Sequence, residues 1–178
     1  MPDAVVVREA GPGDAALLAA IGSSSFRDAY SEHSKPADLE AHLEDNFSQR
    51  AVQEEIAGGR CTYLLATVND APCGLAKFRA AECPVPGGDD NALELQQLYV
   101  LAASQGHGLG RKLIERVGDA GRQQGVAGIW LSAWEFADWA TGFYTRAGFA
   151  AIGKVQFKLG ETSYTDLLMW QPLAKSTG

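Results

Sequence analysis

Leu93-Glu94-Leu95-Gln96-Gln97-Leu98-Tyr99-Val100-Leu101, followed after three intervening residues by Gln105-Gly106-His107-Gly108-Leu109-Gly110, decides how this chain folds. The first stretch alternates and then runs apolar through Leu101, the pattern of a strand buried along most of its length. Past the glycines, Leu109, Leu113, Ile114 and Val117 recur at helical spacing. Three glycines in five positions at a helix start keep side chains away from the backbone N–H groups, and the helix dipole adds positive potential there. Strand, glycine turn and helix together describe a site for an anion, most simply a phosphate or pyrophosphate.

Working outward, Val5 to Val7 predict a short first strand. Asp14 is placed to cap a helix carrying Leu17, Leu18 and Ile21, which Ser23, Ser24 and Ser25 weaken further on. Leu39, Leu43 and Phe47 lie four apart, so an amphipathic helix starts after Pro36; Ser48 caps the next one, and Gly58-Gly59 ends it. Cys61–Val68 and Cys73–Ala80 read as a hairpin joined by Asn69-Asp70-Ala71-Pro72, and residues 84–91 as a loop free to move. After the glycine helix come a strand over 127–133, a short helix over 138–146 stopped by Gly148, and a closing hairpin over 149–171. The order predicts one α/β (α+β) domain, residues 1–178, with a mixed, mainly antiparallel sheet of six to seven strands flanked by about four helices.

The bulk numbers narrow the partners. The net charge is −7, from 22 acidic and 15 basic residues without a Lys/Arg cluster, which argues against nucleic acid and favours cations. No apolar run reaches the roughly 18 residues of a membrane helix. Cys61, Cys73 and Cys83 show no metal-like spacing with His33, His42 or His107, so no metal is expected. The odd cysteine count fits a reducing cytoplasm.

The spacing also tests which phosphate ligand the loop suits. A Walker loop requires Ser or Thr after Gly-Lys, whereas Gly110 is followed by Arg111-Lys112-Leu113. A dinucleotide fingerprint requires Gly-x-Gly-x-x-Gly, and here the third glycine comes one residue early. A glycine turn with no ligand stays open on the loop alone. The later run Phe143-Tyr144-Thr145-Arg146-Ala147-Gly148-Phe149 bears on this. Gln-x-x-Gly-x-Gly with a downstream Phe-Tyr-x-x-x-Gly-Phe resembles the GCN5-related N-acetyltransferases (GNAT). Within that family, Leu93 to Val100, Trp134-Glu135, Asp38-Leu39 to Phe47-Ser48, and the tail Phe157 to Gly160 with Thr165 to Met169 resemble PaiA-type polyamine acetyltransferases.

The resemblance implies acetyl-CoA as donor and a primary amine as acceptor. It implies that Leu98 and Val100 pair with the pantetheine arm, and that Gln105, Gly106, His107, Gly108, Gly110 and Arg111 hold the pyrophosphate. It makes Tyr144 the general acid at the coenzyme A sulfur. Many relatives carry a carboxylate where Gln96 stands; since Gln is no base, Glu94, acting through water, is the candidate. An asparagine common in the family is replaced by Ala137. Trp134 and Trp139 read either as core or as a border to the acceptor channel. A small cationic amine, an antibiotic or a protein amine are all compatible acceptors, and a non-catalytic acyl-CoA sensor is the alternative class. The C-terminal strands are able to pair between subunits, which admits a homodimer.

Overall fold

In the computed structural model, which describes residues 1–175, the strands are β1 (Val5–Glu9), β2 (Thr62–Val68), β3 (Ala71–Ala80), β4 (Ala92–Val100), β5 (Gly128–Trp134), β6 (Ala150–Leu159) and β7 (Thr162–Pro172). The helices are α1 (Ala15–Tyr30), α2 (Pro36–Phe47), α3 (Gln49–Gly58), α4 (Leu109–Gln124) and α5 (Asp138–Arg146). The sheet order is β1-β2-β3-β4-β5-β7-β6. Its β4–β5 pair is parallel, from Ala92↔Gly128 to Glu94↔Trp130, while β1–β2 and β5–β7 are antiparallel. This is the mixed seven-stranded α/β architecture the sequence predicts. The chain divides into two compact units, residues 1–77, 97–113 and 159–162 in the first and 78–96, 114–158 and 163 onward in the second.

The first unit is built by local signals. Leu39, Leu43 and Phe47 are all buried along α2, as their spacing requires. The Ser48 hydroxyl accepts the Ala51 N–H at 3.2 Å to start α3, and Gly59, at φ +65°, ends it. Two expectations fail here. The three serines do not weaken α1, which continues to Tyr30 because Ile21, Gly22 and Phe26 keep one face buried. A Cβ at Gly22 would lie 2.6 Å from the Phe47 ring, so this glycine admits α2 against α1. Asp14 makes no side-chain cap; its carboxylate instead accepts from Gly11 N at 2.9 Å and from both Arg8 Nη atoms at 2.8 and 2.9 Å. The core gathers Leu18, Ile21, Val52, Tyr63, Leu65 and Leu75. Asn69 and Asp70, at φ 49° and 66°, form the β2–β3 turn by themselves, so Ala71 and Pro72 belong to the strand.

In the second unit, α4 lies against the face of β4 that carries Leu93, because a Cβ at Gly121 would sit 3.3 Å from the Leu93 side chain. Trp130, Leu168 and Ala92 form a cluster on which Ala81, Cys83, Val85 and Trp170 pack. Residues 84–91 form the loop the sequence predicts, tied down at its two ends. Ala81 N bonds Ala92 O at 3.1 Å, Asn91 Nδ2 bonds Gly125 O at 3.1 Å, and the Trp130 indole N–H bonds Ala81 O at 2.9 Å. Among the described residues no helix is long and apolar enough to cross a membrane.

Candidate active site

The glycine loop lies in the first unit and is made almost entirely of backbone. Leu101 N bonds Cys73 O at 2.8 Å, tying that residue to β3. Alternation along the strand turns the peptide groups of Leu98 and Val100 to the opposite edge. The β4–β5 ladder is registered over Ala92–Glu94, ahead of this segment. Gln105 reaches back, its Nε2 donating to Val100 O at 3.1 Å, and clamps the loop entry onto the strand end. Gly106 and Gly108 hold φ of +86° and +73°, where other residues are strained, and a Cβ on either would meet no atom within 4 Å. The glycines are therefore needed for backbone shape, and the space beside them is unfilled by protein. The first helical bond of α4 runs from Lys112 N to Gly108 O at 3.1 Å, so the helix supplies no carbonyl for the N–H groups of Leu109 and Gly110.

Side chains do less at this loop. The His107 Nδ1 lies 3.1 Å from Ser104 O and its Nε2 3.7 Å from Asp3 Oδ2, so the ring is turned toward the loop base and the segment before β1. Arg111 and Lys112 are exposed on the first turn. A cradle of N–H groups at a helix start, open on one side and lined by positive potential, fits a pyrophosphate.

Tyr144 and Glu94, the remaining candidates, belong to the second unit. The Tyr144 ring stands edge-on to Phe143 at 5.4 Å and to Phe149 at 5.8 Å. Burial raises its hydroxyl well above the ordinary tyrosine value and keeps it protonated. Gly148 shapes the end of this helix. At φ +103° it leaves room for Gln171, whose Nε2 donates to Ala147 O at 2.9 Å and would lie 2.8 Å from a Cβ at that glycine. The Gly-Phe of the motif is thus a packing requirement that fixes the Tyr144 turn. Glu94 points away from Leu93 and receives Arg79 Nε at 2.7 Å. An ionised pair results, with the carboxylate mostly buried and the guanidinium half exposed.

Two polar sites escape the sequence reading. In the first unit Lys77, only 7% exposed, donates to Glu55 Oε1 at 2.7 Å, and the Tyr63 hydroxyl donates to Glu55 Oε2 at 2.5 Å. In the second, Asp166 is 6% exposed, and its Oδ1 is buried without a hydrogen-bond partner; Gln96 Oε1 is in the same condition. Burial raises the Asp166 carboxyl above the ordinary aspartate value more than the Ser132 hydroxyl lowers it. A charged residue on the inward phase of an otherwise apolar strand was the available signal for both. Among the described residues no three His, Cys, Asp or Glu side chains gather as a metal site.

Known proteins resemble this chain along most of its length. The sequence model of the acetyltransferase (GNAT) family matches residues 24–149. An uncharacterized N-acetyltransferase of Lactobacillus delbrueckii subsp. lactis is 27% identical over 154 residues, covering 86% of this chain and 89% of that protein. Another, from Mycobacterium bovis, is 27% identical over 160 residues, covering 90% and 98%. In fold, the chain superimposes on the PaiA N-acetyltransferase of Thermoplasma acidophilum, solved with coenzyme A, at a TM-score of 0.77 and 16% identity, covering 95% of this chain and 99% of that one.

Proposed function

The chain belongs to the GNAT acetyltransferase family, and on that premise we propose that residues 1–178 act as one domain that acetylates a small cationic amine of the polyamine type. It is an acetyl-CoA-dependent N-acyltransferase. The observation that carries the donor side is the Gly106–Gly110 loop, whose positive-φ glycines, Gly106 and Gly108, have open space where a side chain would stand. Gln105, Gly106, His107, Gly108, Gly110 and Arg111 hold the pyrophosphate, and Leu98 and Val100 offer a strand edge to the pantetheine arm.

When bound, acetyl-CoA supplies a thioester carbonyl: the amine nitrogen forms the C–N bond, the C–S bond breaks, and the sulfur leaves as thiolate. Tyr144 meets the charge that develops on that sulfur. A thiol ionises near about 8.5, below a tyrosine raised by burial, so the hydroxyl serves best by donating a hydrogen bond as the negative charge grows and passing its proton late. Glu94, through water, takes the proton that the ammonium must lose before its nitrogen attacks, since an alkylamine resembles lysine with a pKa near 10.4; the second proton, shed by the new amide nitrogen, replaces the one Tyr144 gives to the sulfur. Arg79, at 2.7 Å, orients that carboxylate.

The acidic balance of the chain, net −7, and the likeness to PaiA-type enzymes support a cationic acceptor. Three free cysteines suit a reducing compartment, and we place the enzyme in the cytoplasm as a homodimer joined through its C-terminal strands. Free-thiol release on mixing the protein with acetyl-CoA and an amine panel tests the whole reading. Release should be fastest with spermidine or a diamine and slower in Glu94→Gln. Coenzyme A binding with no release on any small or peptide amine would leave a binding domain instead.

A further inference from the structure

One face of the second unit carries Trp130 and Trp170 at one end and Trp134 and Asp166 at the other, as the β5–β7 register sets out. Glu94 shares that face by its pairing with Trp130, and Gln96 by the two-residue period of β4. The first end is covered by Ala81, Cys83 and Val85, packed over Trp130, Leu168 and Trp170. The second end is more open, with Ser132 exposed and Phe136 71% exposed. There Trp134 pairs with Asp166 across the two strands, and Tyr164 precedes it by two on β7, on the same face. Trp134 and Tyr164 meet edge to face at 5.6 Å, and Phe157 stands 6.2 Å from Tyr164.

Asp166 and Gln96 each present a buried acceptor oxygen to which the chain supplies no donor. Such an atom costs about 1–3 kcal/mol, more if charged, and native proteins keep few of them. Arg79 is engaged by Glu94 at 2.7 Å and Lys154 by Glu135 at 3.0 Å. What is missing is a donor, and the surroundings specify which kind. An alkylammonium brings up to three N–H donors and a positive charge, and the aromatic faces add cation–π attraction. Gln96, across β5, offers a second acceptor to an amine with more than one nitrogen.

We propose that Asp166, walled by Trp134 and Tyr164 and supported by Gln96, binds the non-reacting ammonium of a diamine or polyamine acceptor. The inference rests on the reading of the chain as an N-acetyltransferase of cationic amines, and it assigns the residue that selects a second positive charge. Asp166 is a binding residue in this scheme, and the proton of the reacting nitrogen leaves by another route.

The test uses N,N,N′,N′-tetramethyl-1,4-diaminobutane, a dication whose nitrogens cannot be acetylated, so binding is read apart from turnover. Titration calorimetry of the full chain should show binding that weakens roughly 10- to 100-fold in Asp166→Asn, with coenzyme A binding unchanged. Equal binding by the variant, or none by the wild type, would overturn the proposal. A readout without a variant protects against a folding defect. Carbon-13 in the aspartate carboxyls should reveal one group titrating above the ordinary range, moved down when the dication is added. A wild-type Asp166 resonance indifferent to saturating dication overturns the proposal as well. If the dication binds through Asp166 but no amine is acetylated, the transferase reading fails and the cation site stands. If spermidine is acetylated by both proteins with the same KM, the cation site fails and the transferase reading stands.

Discussion

The glycine loop and the Asp166 face are built from opposite materials. The loop offers backbone donors with no side chain in the way, and its shape depends on two φ angles that glycine alone adopts without strain. The Asp166 face offers side-chain acceptors, two of whose oxygens, Asp166 Oδ1 and Gln96 Oε1, are buried without donors, beside rings from different strands. One suits an anion whose chemistry does not vary among acetyl-CoA enzymes; the other suits a cation whose identity does. A site made of backbone tolerates drift in surrounding sequence, whereas a site made of side chains is redirected by one substitution.

Filling the loop should break the donor half with the largest effect. Gly106→Val with Gly108→Val places two β-branched residues at φ +86° and +73°, each costing on the order of 1–3 kcal/mol. Either the loop keeps its shape at the expense of stability or it changes shape and releases the ligand. Coenzyme A affinity by calorimetry should fall about 100-fold or more, with dication binding intact. Loss of both ligands together would deny that the two regions are separable.

Tyr144→Phe probes the next largest effect. Removing one hydrogen bond to the leaving sulfur should lower kcat about 10- to 100-fold while the KM for acetyl-CoA moves little. Phe keeps the edge-on packing with Phe143 and Phe149, so the melting temperature should stay near that of the wild type. An unchanged kcat under single-turnover conditions would remove Tyr144 from the chemistry.

The contrast also explains what the sequence made legible. Leu39, Leu43 and Phe47, the Ser48 cap, the Gly59 stop and the glycine loop all act within one or two turns of chain, where residue type and spacing carry the information. Ser23 to Ser25 misled because the packing of Gly22 on Phe47 outweighs weak helix propensity. The anchoring of the chain just before the loop over 84–91 was hidden for a similar reason, since Trp130 lies 49 positions from its carbonyl partner Ala81. Lys77 with Glu55, and Asp166 with its aromatic walls, join residues far apart in sequence. Only the breach of strand alternation by a charge marks them in advance.

The smallest effect separates two carboxylates by sign. Asp14 accepts from Arg8 and Gly11, chiefly the Arg8 guanidinium, and its pKa falls from 3.8 to about 2. Its contribution to stability is therefore present above pH 3.8 and is lost as pH falls toward 2. Asp166 is raised by burial, so the folded state holds its proton more tightly than the unfolded chain does. Its ionised form costs stability at neutral pH, and that cost disappears as pH drops below its folded value. Asp14→Asn should then lower the melting temperature by about 2–4 °C at pH 7 and blunt the loss seen between pH 4 and 2. Asp166→Asn should raise it by a similar amount at pH 7 while weakening dication binding. Calorimetric melts across this pH range read both signs. If Asp166→Asn instead destabilised the protein at neutral pH, the carboxylate would be holding the fold together, and its unpartnered Oδ1 would be no sign of a place kept for a ligand.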